Sequence, residues 1–263
     1  MATTVQMNEA GWEVFPDLPR RAAKPRAEGL TSVLDAGLSL AAVDGLLEVA
    51  GDAVDLVKLG WGTALVTQNL AAKLARYRER GIAVVLGGTL TELAIVHGRV
   101  PAFAAWLRQL GLRHVEVSDG TIDLPHADKL RLIEQLAADF TVLSEVGTKD
   151  DRALEPATWV RQVERELEAG ATKVITEARA SGTTGIYDAD GAVRVELIER
   201  IADAVGSERL LFEAPRTQQQ VWFVRRFGAS VNLANICPAN VVSLETIRLG
   251  LRADTLAQPA RLT

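Results

Sequence analysis

Hydrophobic positions along this chain fall into two alternating patterns. The first is a short, nearly continuous apolar run that ends in glycine, proline or a polar residue. Eight such runs follow one another: Leu30–Gly37 (LTSVLDAG), Ala53–Gly62 (AVDLVKLGWG), Ile82–Thr89 (IAVVLGGT), His114–Gly120 (HVEVSDG), Thr141–Lys149 (TVLSEVGTK), Lys173–Gly182 (KVITEARASG), Arg209–Pro215 (RLLFEAP) and Ser230–Ile236 (SVNLANI). They predict strands buried on both faces, as in a parallel sheet. Between them lie segments of helical period. Leu70–Arg80 places Leu70, Leu74 and Tyr77 on one stripe and stops at Gly81, and Trp159–Ala169 groups Val160, Val163 and Leu167 and stops at Gly170. Val193–Ala204 and Gln218–Arg226 follow the same rule. An apolar stripe closed by glycine is what a helix packed on a sheet requires.

Eight strands alternating with helices over roughly 240 residues predict a single α/β domain, a (β/α)8 TIM-type barrel with its active site at the C-terminal strand ends. An open doubly wound sheet also alternates strand and helix, but no GxGxxG follows the first run. Residues 28–255 are assigned to the barrel, 1–27, with PDLPRRAAKPR, to an N-terminal lead-in, and 256–263 to a C-terminal tail.

Composition narrows the function classes. With 48% hydrophobic and 24% charged residues, the chain can bury a core and is not disordered. A formal charge of −5 offers no broad basic surface, so neither nucleic acid nor anionic lipid is expected as a partner. The single Cys237 excludes an internal disulfide, and the three scattered histidines exclude a Cys/His zinc cage. No stretch approaches the ~18 apolar residues of a membrane span, and no basic-then-apolar leader opens the chain. A cytoplasmic homo-oligomer acting on small molecules is expected.

The strand ends are ionic. They carry Asp35, Lys58, Glu116 with Ser118 and Asp119, Glu145 and Lys149, Glu177 and Arg179, Glu213, and Asn232 with Asn235. Any one of these acids is most simply a structural ion pair. Polar groups at the ends of seven of the eight strands are harder to assign to packing. Side chains alternate faces along a strand, so Glu145 and Lys149 share a face, as do Glu177 and Arg179. An ionised group under the helices would be buried without water, which places these residues at the barrel mouth. Five carboxylates (Asp35, Glu116, Glu145, Glu177, Glu213) then meet three cations (Lys58, Lys149, Arg179), and the surplus of two negative charges suits one divalent ion. Oxygen ligands without His or Cys point to Mg²⁺. Gly87-Gly88-Thr89 allows close backbone approach to a ligand. Ser181-Gly182-Thr183-Thr184-Gly185 reads equally as a phosphate cradle or a plain loop. Cys237 reads as a small apolar filler, the histidines as surface residues, Trp106 and Trp159 as packing, and Trp61 as a wall of the site.

Taken together, these segments resemble the phosphosulfolactate synthase family. The resemblance rests on GLT (29–31) with DAG (35–37), KLGWGT (58–63), GGTLTE (87–92), EVSDG (116–120), EVGTK (145–149), TEARASG (176–182), FEAP with Gln218-Gln219 (212–219), NLANI (232–236) and LETIRLGLRADT (244–255). It implies an Mg²⁺-dependent barrel that adds sulfite to phosphoenolpyruvate to give (2R)-phospho-3-sulfolactate, a step on one route to coenzyme M. It further implies that Lys149 is the acid–base residue and that Glu145, Glu177, Arg179 and Glu213 belong to the mouth; from their strand ends, Lys58 and Arg179 are assigned to catalysis with it. Glu145, Glu177 and Glu213, with Asp35 and Glu116, are assigned to the metal. Gly87, Gly88, Thr89, Ser181, Gly182, Asn232 and Asn235 are assigned to substrate. Ala64, Thr148 and Ala180 depart from the family pattern, in which serine, lysine and glutamate are common at these places. Two other readings stay open: a different small nucleophile on the same enolpyruvate, or a non-enzymatic protein like the plant relatives associated with heat stress.

Overall fold

The computed structural model describes residues 9–147 and 155–256. All eight expected runs form strands: β1 Thr31–Asp35, β2 Leu56–Leu59, β3 Ala83–Val85, β4 His114–Val117, β5 Thr141–Val146, β6 Lys173–Thr176, β7 Leu210–Glu213 and β8 Leu233–Ile236. Helix α1 (Glu9–Val14) precedes them. The strands are followed in turn by α2 (Leu40–Ala50), α3 (Leu70–Glu79), the pair α4 (Gly88–Val96) and α5 (Val100–Gln109), α6 (His126–Ala137), α7 (Pro156–Glu168), α8 (Val195–Val205), α9 (Thr217–Phe227) and α10 (Val241–Arg248). The pairings between these eight strands are all parallel, in the order β3-β2-β1-β8-β7-β6-β5-β4, so the sheet curls into a (β/α)8 barrel whose seam between β3 and β4 has no ladder.

The expected helices recur with small shifts. The one expected from Trp159 begins at Pro156, because proline with no amide hydrogen to satisfy fits the first turn. Trp159 and Val163 face the sheet, as does Tyr77 on α3. Between helices and strands lies the main core, including Val33, Val57, Val84, Val117, Val142, Val174 and Phe212. The lumen is filled by a smaller cluster of Leu56, Val85, Leu143, Ile175, Leu211 and Ala234.

This division follows from the pleat. A strand reverses face at each residue, so valines on one parity meet helices while the other parity fills the lumen. Two residues beyond Leu56, Leu143, Ile175 and Leu211, on the same inward face, stand Lys58, Glu145, Glu177 and Glu213. The apolar layer is the floor of the polar one.

At the opposite end, the lead-in is tied under the barrel. Arg21 and Arg26 reach Asp55 at 3.1 and 2.9 Å, and Asp55 also accepts the Thr31 amide at 2.9 Å. Of the expected tail, only Leu256 lies among the described residues. No helix among the described residues is long and apolar enough to cross a membrane.

Candidate active site

At the C-terminal mouth lies a cavity of ≈ 540 Å³, lined in part by Lys58, Glu116, Glu145, Glu177, Arg179 and Glu213. Lys58 is its centre. Its Nζ lies 3.0 Å from Glu116 Oε1, 3.4 Å from Glu145 Oε2 and 3.4 Å from Glu213 Oε1. Burial works against the ammonium, but Glu116, Glu145, Glu213 and Glu177 together hold its proton well above the ordinary lysine range. Burial pushes the Glu213 carboxyl up to about 7, aided by Glu145 and Glu116 and opposed by Lys58 and the Ala178 amide. Glu116 is raised for the same first reason, burial.

Gly87, Gly88, Thr89, Ser181 and Asn235, all expected here, also line the cavity. So does Trp61, which is 61% exposed at the rim. Three non-glycine residues among those described have left-handed backbone: Trp61 (φ 54°), Arg179 (φ 52°) and Asn235 (φ 55°). All three line this cavity. Strained backbone of this kind gathers where a chain must aim groups at a ligand. At Asn235 the cause is visible in the ladder. Thr31 pairs with Leu233 but Val33 with Ile236, so β8 carries one extra residue opposite β1.

Several expectations are corrected. Asp35 does not reach the mouth. Leu34 lines the cavity, so the next residue turns to the helices, where Asp35 meets Lys73 Nζ at 2.8 Å and Tyr77 Oη at 3.0 Å. The amides of Gly37 and Leu38 complete its shell at 2.9 and 2.7 Å. A buried lysine on α3 makes tolerable the ionised group that burial alone would exclude. Asn232 also leaves the site. It stands before β8, at the bottom of the barrel, where it accepts the Leu30 amide at 3.0 Å and donates to the Glu208 and Leu210 carbonyls at 3.1 and 3.0 Å.

Gly88 lines the cavity, yet its amide is already given to Glu116 Oε1 at 2.7 Å. It is glycine because a Cβ there would sit 2.2 Å from Ser118 Oγ. Gly182 is absent from the lining, and its carbonyl is taken by Gln219. Ser118 and Asp119 serve Glu92 and Lys129 rather than the cavity. His126 is partly buried against Glu166 at 3.3 Å instead of lying free on the surface. Lys149 falls outside the described residues.

Two features were not foreseen. Glu92, buried on α4, accepts Ser118 Oγ at 2.5 Å and the Thr121 hydroxyl, and so stitches the β3–β4 seam. The one acid in the apolar segment GTLTELAIV was the signal for it. Gln219 braces the turn after β6, a role that nothing in its local pattern announces.

Without Asp35 the expected surplus falls from two to one, four glutamates against Lys58, Arg179 and Lys149. Among the described residues, Glu116, Glu145, Glu177 and Glu213 line the cavity together with Lys58 and Arg179. An all-oxygen donor set with excess negative charge suits Mg²⁺ in kind. Glu116 Oε2, buried and without a hydrogen-bond partner among the described residues, offers a donor oxygen. No three such side chains among the described residues are gathered as a ready cage, since they converge on Lys58. The fit is one of donor chemistry and charge.

An acid–base cluster at the C-terminal mouth of an eight-stranded parallel barrel defines the class: a (β/α)8-barrel enzyme. The chain belongs to the (2R)-phospho-3-sulfolactate synthase (ComA) family, whose model matches residues 19–254. It is 42% identical over 247 residues to the phosphosulfolactate synthase of Methanothermobacter thermautotrophicus, covering 91% of this chain and 96% of that one. It is 39% identical over 243 residues to the phosphosulfolactate synthase of Bacillus subtilis, covering 91% and 96%. A more distant relative is the protein HEAT-STRESS-ASSOCIATED 32 of Arabidopsis thaliana, 23% identical over 271 residues and covering 90% and 91%. Among solved structures, thiamine phosphate pyrophosphorylase from Pyrococcus furiosus superposes with a TM-score of 0.53 at 10% identity, covering 84% of this chain and 96% of that one. This likeness shows the barrel fold alone.

Proposed function

We propose that the mouth cavity adds sulfite to C3 of phosphoenolpyruvate with Mg²⁺ bound, giving (2R)-phospho-3-sulfolactate. The observation that carries this reading is the convergence of Glu116, Glu145 and Glu213 on Lys58, beside Glu177 and Arg179, in a chain of this family. The sulfur lone pair forms the C–S bond, and the vinyl electrons move onto the substrate carboxylate as an ene-diolate. A proton delivered to C2 then completes the product, with the phosphate ester kept intact.

Charge developing on a carboxylate is stabilised by fixed cations in a water-poor site. Lys58 suits that task, since its neighbours keep it protonated and hold it in place. Arg179 supplies a second cation for the phosphate or carboxylate. Mg²⁺, held by glutamates drawn from Glu145, Glu177, Glu213 and Glu116, would neutralise the same developing charge. Lys149 is the proton donor that the family resemblance assigns, and a positioned ammonium is a competent general acid.

The test is direct. Purified protein with phosphoenolpyruvate, sulfite and Mg²⁺ should form a sulfonate of the expected mass, and excess EDTA should abolish it. Full turnover in EDTA would remove the metal from the reading. No sulfonate from a protein that binds phosphoenolpyruvate would remove sulfite as nucleophile.

A further inference from the structure

Arg179 holds a left-handed backbone (φ 52°), which a non-glycine residue keeps only where its surroundings impose it. Part of that restraint is local. The Arg179 amide donates to Glu177 Oε1 at 2.5 Å, and its carbonyl accepts the Gly182 amide at 3.2 Å. Further bonds to the same turn come from Arg216 and Gln219 at the start of α9. Gln219 Nε2 donates to the Gly182 carbonyl at 2.8 Å and to the Gly191 carbonyl at 3.2 Å, while its Oε1 accepts the Arg216 amide at 3.1 Å. Arg216 adds bonds from its guanidinium to the Ser181 and Asp190 carbonyls at 2.8 and 3.1 Å.

Gln219 is 2% exposed and does not line the cavity. Its three bonds go to backbone, two of them to both limbs of the long turn between β6 and α8. The turn also presses closely on it, since a Cβ on Gly182 would sit 2.7 Å from its amide. A buried side chain with such partners fixes the path of a loop and touches no ligand.

We infer that Gln219 is a positioning residue for substrate binding: it clamps the turn after β6 so that Arg179 meets an anionic group of the substrate. Phosphate and carboxylate share the chemistry that a guanidinium reads. This inference rests on the reading of Arg179 as an anion contact, and the experiment separates the two.

Phosphoenolpyruvate binding, with Mg²⁺ present, is measured by calorimetry for the wild type, Arg179→Ala, Gln219→Met and the double variant. Methionine keeps the buried volume while removing both donors. If folding suffers, Arg216→Met, on the exposed side of the same clamp, takes its place. Arg179→Ala should weaken binding on the order of 10²-fold, as loss of a charged partner does. Gln219→Met should weaken it about tenfold, and should add nothing once Arg179 is gone, because coupled residues are not additive. In turnover, Gln219→Met should raise KM and leave kcat within about twofold, the mark of lost ground-state binding. Unchanged binding in Gln219→Met, or a full additional loss in the double variant, would overturn the positioning role while leaving Arg179 as a contact. Unchanged binding in Arg179→Ala would overturn the reading of Arg179 and the inference with it.

Discussion

Glu213 keeps its proton up to about 7 because burial, Glu145 and Glu116 outweigh what Lys58 gives back. The folded value lies above the ordinary 4.5, so its contribution to stability is full below pH 4.5 and is lost as pH rises through about 7. Two outcomes follow. Without metal, Glu213→Gln should be more stable than the wild type at pH 8, by thermal denaturation, and inactive. The melting-temperature gain from Mg²⁺ should grow across the same window, because the proton must leave before the carboxylate can ligate. A gain that is flat from pH 5 to about 8 would place Glu213 outside the metal's reach.

Asp35 gives the opposite result. It belongs to a satisfied pair under α3, with Lys73 almost fully buried beside it. Asp35→Asn should cost about 3–5 kcal/mol, since an unpaired buried ammonium remains. The molecules that stay folded should keep their kcat. Loss of kcat without loss of stability would return Asp35 to the active site.

At the scale of elements, the seam is the weak closure of the barrel. β3 and β4 share no ladder, and the join is made at the mouth by side chains. The Gly88 amide and the Thr91 hydroxyl bond to Glu116, at its carboxylate and its carbonyl, at 2.7 and 2.6 Å. Glu92 receives Ser118 and Thr121. Gly88→Ala would drive a methyl into Ser118, whose side chain is wholly buried, and overpacking of this kind costs about 1–3 kcal/mol. It should also displace Glu116 from Lys58 and lower kcat/KM. Normal stability and normal kcat/KM in Gly88→Ala would show that the seam yields without consequence. The eight strands were readable because buried parallel strands are continuous apolar runs. The seam was not, because its partners lie 25–29 residues apart and the pattern of one strand carries no record of its neighbour.

For the whole molecule, most of the mouth was legible: Lys58, Glu116, Glu145, Glu177, Arg179, Glu213 and Asn235 converge as their strand ends implied. Parity explains the main error. Counting back from the inward Lys58 on β2 to its β1 ladder partner Leu34 leaves Asp35 on the outer face. Asn232 failed for a different reason, since an apolar run does not show which of its polar residues precedes the first ladder bond. The left-handed backbone of Asn235 accompanies the extra residue of β8 opposite β1, a register shift between strands far apart in the chain that no local pattern records.

The most direct test of the central claim follows the substrate's own carbons. Phosphoenolpyruvate labelled at C3 is incubated with enzyme, Mg²⁺ and sulfite in deuterium oxide, and the products are followed by NMR. The labelled vinyl signal should become a sulfonate-bearing CH₂, with one deuterium at C2 in a single configuration and the phosphate still esterified, and Glu145→Gln should leave the vinyl signal unchanged. Release of free phosphate with formation of pyruvate, or a vinyl signal that persists in the wild-type enzyme, would contradict it.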